Sequence, residues 1–111
     1  MNTTLYRPVN KAELDLIAES DWTKFPPRLP EQPIFYPVLN LEYAKKIHKW
    51  NMAAYGDGYI VEFEIDNMFL VIHHIEPHNV GGKNDNEFWI KSDDLDNFNN
   101  HIVGKIKLVE L

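Results

Sequence analysis

Five of the chain's seven prolines fall within the single stretch FPPRLPEQPIFYPVLN, at Pro26, Pro27, Pro30, Pro33 and Pro37. Each proline holds its own φ near about −65° and turns the residue before it away from helical geometry, so no regular helix can run through the segment. The connection from Asp21 to Pro33 is therefore expected to be long but stiff. A connection stiffened in this way suits either a rigid wall beside a ligand pocket or a rigid ledge that a partner protein grips.

The patterns on either side of this segment predict the elements. Thr4–Pro8 is a short strand, and Asn10 followed by Glu13 has capping-box spacing ahead of a helix over 11–20. Ile34–Leu39 reads as a strand in which Pro37 demands an edge position or a bulge, because proline donates nothing to a ladder. Asn40 then caps a helix on which Tyr43, Ala44, Ile47 and Trp50 form the apolar side, with Glu42, Lys45, Lys46 and Lys49 opposite. After the turn Gly56-Asp57-Gly58, residues Tyr59, Val61, Phe63 and Ile65 alternate with Glu62, Glu64 and Asp66, the plainest strand pattern in the chain.

Asp66-Asn67 is expected to turn a hairpin into Met68–Ile75, an almost continuous apolar run that suits a central strand. Pro77–Asn86 reads as loop and Glu87–Ile90 as a short strand. Ser92 starts a short acidic helix that carries Leu95 and Phe98 and ends near His101. Ile106 and Leu108 close the chain in a last strand, alternating with Lys105 and Lys107. At 111 residues and 13.0 kDa, residues 1–111 are expected to form one domain. Strands that cluster after two early helices predict an α+β fold: a bent, mostly antiparallel sheet with two helices in the N-terminal half and one short late helix.

Composition narrows the chemistry. The chain has no cysteine, which excludes disulfides, thiolate nucleophiles and cysteine-held zinc. Eleven Lys and Arg stand against seventeen Asp and Glu, a net charge of −6, which opposes attraction to phosphate backbones and predicts no direct nucleic-acid partner. The same field would speed association with a basic protein. No segment approaches the roughly 20 apolar residues of a membrane span. MNTTLYRPV has neither the basic start nor the apolar stretch of a secretory leader, so the expected location is the cytoplasm, without membrane attachment.

The remaining constellations carry two readings each. His73-His74 with His78 contains metal-ligating residue types, but neighbours on a strand point to opposite faces, so no metal is expected. Gly81-Gly82-Lys83 lacks the strand-loop-helix context of a phosphate loop and reads as a turn. Asp85, Glu87, Asp93, Asp94 and Asp96 form the densest acidic cluster, with Trp89 inside it. Acids here can serve a helix N-terminus through the helix dipole, or they can form a charged rim around an aromatic anchor for a protein partner.

The order of elements, together with LYR, IFYPVLNLEYAKKI and NEFWI, resembles the ADP-ribosyltransferase-like fold. Nearly the whole chain is similar to small bacterial proteins often labelled "ADP-ribosylation/crystallin J1", through LYRPV, FPPRLPEQPIFYPVLN and FNNHIVGKI. The resemblance implies a site in which Arg7 grips the phosphates of NAD, Tyr36 stacks on nicotinamide and Glu87 stabilises the ribosyl cation. The Ser-Thr-Ser run usual in that superfamily is replaced here by Tyr36-Pro37-Val38, and the histidine of its other version is replaced by Arg7. Two functions follow as expectations. The first is a noncatalytic immunity or antitoxin-type inhibitor of a basic toxin, possibly a nuclease, that needs no cofactor and contacts its partner through Asp85, Glu87, Trp89, Asp93, Asp94, Asp96, Arg28 and Tyr36. The alternative is an NAD-dependent ADP-ribosyltransferase or NAD glycohydrolase using Arg7, Tyr36 and Glu87.

Overall fold

The structure, a computed structural model, describes residues 1–111. Strand β1 (Asn2–Val9) leads into helix α1 (Lys11–Glu19), whose first turn is closed by the Asn10 side chain accepting from the Glu13 N–H at 2.8 Å. The proline-rich connection then ends in β2 (Ile34–Phe35). Helix α2 (Leu41–Tyr55) is capped in the same way, with Asn40 accepting from the Tyr43 N–H at 2.8 Å, and it stops at Gly56, whose φ of +80° costs a glycine little. Strand β3 (Tyr59–Asp66), helix α3 (Asn67–Ile72) and three short strands follow: β4 (His78–Asn79), β5 (Asn86–Glu87) and β6 (Ile90–Lys91). A 3-10 turn over Ser92–Asp94, helix α4 (Leu95–Asn100) and β7 (Ile102–Leu108) complete the chain. The architecture is α+β with antiparallel pairing throughout.

β3 is the middle of the main sheet, paired to β1 with Arg7 opposite Val61 and Leu5 opposite Phe63, and to β7 with Ile65 opposite Ile102. On the far side of β1, Val38 extends the sheet. Its N–H donates to Tyr6 at 2.8 Å and its carbonyl accepts from Tyr6 at 2.9 Å, while it also bridges Glu87, the end of the β4–β5 hairpin. β2 and β6 form a separate two-stranded ladder.

Each face of the sheet carries its own core. Leu5 and Val9 of β1 and Val61, Phe63 and Ile65 of β3 pack with Leu14 and Ile17 of α1, Phe69 of α3, and Leu95 and Phe98 of α4. Aromatic rings bind this layer together: Phe25 lies 4.9 Å from Phe35 and 4.8 Å from Phe63, and Phe98 lies 5.2 Å from Phe69. The opposite face holds a smaller core of Val38, Tyr43, Ala44 and Ile60, roofed by α2. Burying these side chains supplies the main favourable term in folding, about 25 cal/mol per Å² of apolar surface.

Four expectations are corrected. Met68–Ile75 is not a central strand: residues 67–72 are helical, because the Asp66 side chain accepts from the Met68 N–H at 2.9 Å and caps a helix. The hairpin position beside β3 is already filled by β1 and β7, so only Phe69 of the run is fully buried and Met68, Val71 and Ile72 stay exposed. Trp50, expected on the buried side of α2, is 63% exposed; that side is buried only at its first turn, over Tyr43 and Ala44. Ile34–Leu39 is interrupted at Tyr36-Pro37, and Pro37 lies inside the structure rather than at an edge, its carbonyl accepting from the Phe88 N–H. Leu108, opposite the buried Val61 at the end of β7, is 47% exposed, while Ile106 on the same strand is buried.

Candidate functional site

Because residues directly opposite one another in a ladder share a face, the pairs Tyr6–Val38 and Val38–Glu87 put Tyr6, Val38 and Glu87 on the α2 side of the sheet. Arg7, one residue on, points to the other side with Leu5 and Val9. The strands that carry the three residues of the resemblance are thus neighbours, yet Arg7 and Glu87 stand on opposite faces. The structure divides the predicted residues between two surfaces.

The first surface is the cleft that the proline connection walls, with a volume of about 420 Å³. Pro26, Pro27, Arg28 and Leu29 line one side and the ends of β1 and α2 the other, with Arg7, Asn10, Tyr55 and Asp57 among their residues. Arg7 lies between two apolar neighbours on the core face of β1, and Glu13 neutralises it: Oε2 is 2.6 Å from Nε and Oε1 is 2.9 Å from Nη2. Its guanidinium also lies 4.5 Å from the centre of the Phe35 ring, where a cation is attracted by the aromatic face. Arg28 sits over the same ring at 5.9 Å. Burial, and then the positive charge of Arg7, lower its pKa, with Glu13 and Tyr36 pulling the other way. No ion pair includes Arg28, and its Nε is buried without a partner.

The second surface is aromatic. Trp89, 45% exposed, stacks on His78 with ring centres 4.0 Å apart and planes 9° from parallel. Its indole N–H donates to Glu87 Oε1 at 2.8 Å, and Tyr36 meets it edge-on at 6.1 Å. Glu87 Oε2 accepts from the Tyr43 hydroxyl at 3.3 Å. Burial chiefly, and then the Glu87 carboxylate, push the Tyr43 phenol up to about 12. Glu87 is therefore a clasp between α2 and Trp89.

The acids of the cluster have different partners. Asp85 is held by Lys46 of α2 at 2.8 Å. Asp93 and Asp94 lie in the 3-10 turn, where Asp94 stands 3.9 Å from His73, and Asp96 occupies the first turn of α4 near Asn99. The histidines separate as well, for a different reason from the one expected. His73 and His74 end a helix rather than alternate along a strand, with His73 stacked on Phe69 and His74 at a φ of +53°. His78 belongs to Trp89.

Sequence reasoning missed Glu13, His78 and Asp57. The spacing marks Glu13 as a capping residue and gives no sign that it is the partner of Arg7, which lies six residues before it and on another element. His78 reads in the sequence as a metal-ligating residue type, and stacking between residues eleven apart leaves no local pattern. Asp57 sits within Gly-Asp-Gly and reads as turn chemistry alone. Set beside known proteins, the chain matches no family model, no characterised protein and no solved structure.

Proposed function

We propose that this protein is a noncatalytic, cytoplasmic protein-binding module of the immunity or antitoxin type, which inhibits a basic partner through the surface centred on Trp89. One observation carries the reading: Trp89 is half exposed yet held on three sides, by His78, Glu87 and Tyr36. An aromatic side chain that is both accessible and already immobilised loses little entropy on binding, and tryptophan and tyrosine are the residue types that most often dominate binding energy. The net charge of −6 favours encounter with a basic partner. Asp93 and Asp94, which no lysine or arginine neutralises, are the candidates for steering.

The test is a complex with a basic protein captured from the native cells, followed kinetically. Trp89→Ala is expected to speed dissociation at least about tenfold, and reversing Asp93 and Asp94 to lysine is expected to slow association. A complex indifferent to all three substitutions overturns the reading.

A second reading, NAD-dependent transfer or hydrolysis, is favoured by the adjacency of β1, Val38 and β5. Against it stands the separation of Arg7 from Glu87 by the sheet. Calorimetric titration with NAD decides: binding that Glu87→Gln leaves intact, with turnover that it abolishes, supports the second reading and removes the first.

A further inference from the structure

The proline-walled cleft carries charges that the Trp89 surface does not explain. Four charged side chains line it: Arg7, Glu13, Arg28 and Asp57. Arg7 and Glu13 cancel one another in a two-point ion pair. Arg28 and Asp57 are left over, and neither belongs to an ion pair. Both have a buried polar atom without a hydrogen-bond partner: Nε of Arg28 lacks an acceptor and Oδ1 of Asp57 lacks a donor. Such groups cost free energy when left unsatisfied.

The two do not satisfy one another. No ion pair joins them, and Nε of Arg28 and Oδ1 of Asp57 each stay without a partner. Lys11, which does feel Asp57, is engaged by Asp15. The cleft therefore carries an unpaired positive charge on the proline ledge and an unpaired negative charge just after α2, and Leu16, Leu29 and Tyr55 are among the apolar residues of its lining, beside the polar Asn10, Gln32 and Asn51. Its volume of about 420 Å³ lies within the range of small-molecule sites.

We propose that this cleft is a binding site for a dipolar small molecule, one that presents a carboxylate or other oxyanion to Arg28 and a cationic nitrogen to Asp57 across a short apolar body. The oxyanion restores the counter-charge that Arg28 lacks and accepts from its fork of N–H groups. The nitrogen gives the Asp57 carboxylate, which belongs to no ion pair, a counter-charge. The apolar stretch between them lies against Leu16, Leu29 and Tyr55. The prolines contribute rigidity, because a wall that is already ordered loses little freedom when the ligand enters. The site is separate from Trp89, so it stands or falls independently of the partner reading.

A homologous series measures the spacing of the poles. Isothermal titration of the full chain with γ-aminobutyrate, δ-aminovalerate and ε-aminocaproate should find one chain length preferred, with n-butyrate and n-butylamine, which carry one pole each, at least about tenfold weaker. Arg28→Gln and Asp57→Asn should each weaken the preferred ligand by a similar factor, while Arg28→Lys, which keeps the charge but not the fork, should fall between. Thermal melts of the free variants exclude loss of fold as the cause. No binding by any member of the series at millimolar concentration, or equal affinity for wild type and Arg28→Gln, overturns the proposal. Equal binding of n-butyrate and its amino counterpart overturns the role of Asp57.

Discussion

Glu13, in the first turn of α1, holds Arg7 of β1 with both carboxylate oxygens, at 2.6 and 2.9 Å. The pair joins the first helix to the sheet at the base of the proline-walled cleft, and it is what permits a second cation, Arg28, to lie over the same phenylalanine ring. Removing Glu13's charge would leave two guanidinium groups around Phe35 without a counter-ion, that of Arg7 largely buried and that of Arg28 partly so.

Glu13→Gln is accordingly expected to destabilise the protein by about 3 kcal/mol, since breaking a largely buried ion pair from one side strands the other charge. Replacing both partners, Arg7→Met with Glu13→Gln, should recover much of the loss. Urea unfolding of the two single variants and the double variant measures this. Equal destabilisation by the single Glu13 substitution and the double substitution would mean that the charge pairing is not what matters.

The clasp between Tyr43 and Glu87 predicts an alkaline weak point. Burial and the neighbouring carboxylate raise the Tyr43 phenol from 10.0 to about 12. A raised folded-state pKa means that the folded chain holds its proton where the unfolded chain releases it. The contribution to stability is therefore complete below pH 10 and is lost as pH rises from 10 through about 12. Tyrosinate absorbance should show a late-titrating phenol that Tyr43→Phe removes, and the variant's stability should fall less steeply over that interval.

Helix α3 predicts opposite outcomes for neighbouring apolar residues. Phe69 is fully buried, while Val71 and Ile72 are 68% and 60% exposed. Phe69→Ala should cost about 3–5 kcal/mol, whereas Val71→Lys and Ile72→Lys should each stay within about 0.5 kcal/mol. Were this segment the central strand its composition suggests, the lysine substitutions would be severe. Thermal denaturation separates the two cases.

Val38 is the one residue joining β1 to the β4–β5 hairpin, and its N–H donates to Tyr6 at 2.8 Å. Val38→Pro removes that donor in the middle of a sheet and leaves the Tyr6 carbonyl unpaired, at a cost of about 1–3 kcal/mol. Hydrogen exchange should show lost protection at the Tyr6 and Phe88 amides well before any loss at Ile65 on β3. Uniform loss across the sheet would show instead that the junction and the main sheet unfold as one unit.

Much of this protein is written locally. Asn10 and Asn40 mark both helix starts because a cap acts on a backbone N–H three residues away. The alternation from Tyr59 to Asp66 declares β3, since side chains on a strand take opposite faces in turn. The prolines made the cleft wall rigid by constraining their own dihedrals, whatever surrounded them.

Tertiary structure decided the rest, for the reason that contacts between distant residues leave no mark on local spacing. Met68–Ile75 has the composition of a buried strand, yet β1 and β7 occupy both flanks of β3, and the capping carboxylate of Asp66 then draws the run into a helix. The opposed directions of Arg7 and Glu87 depend on the register through Val38, and the isolation of Arg28 depends on Glu13 having taken Arg7. Local chemistry chose the elements; which charges remained unpaired was settled only when those elements packed.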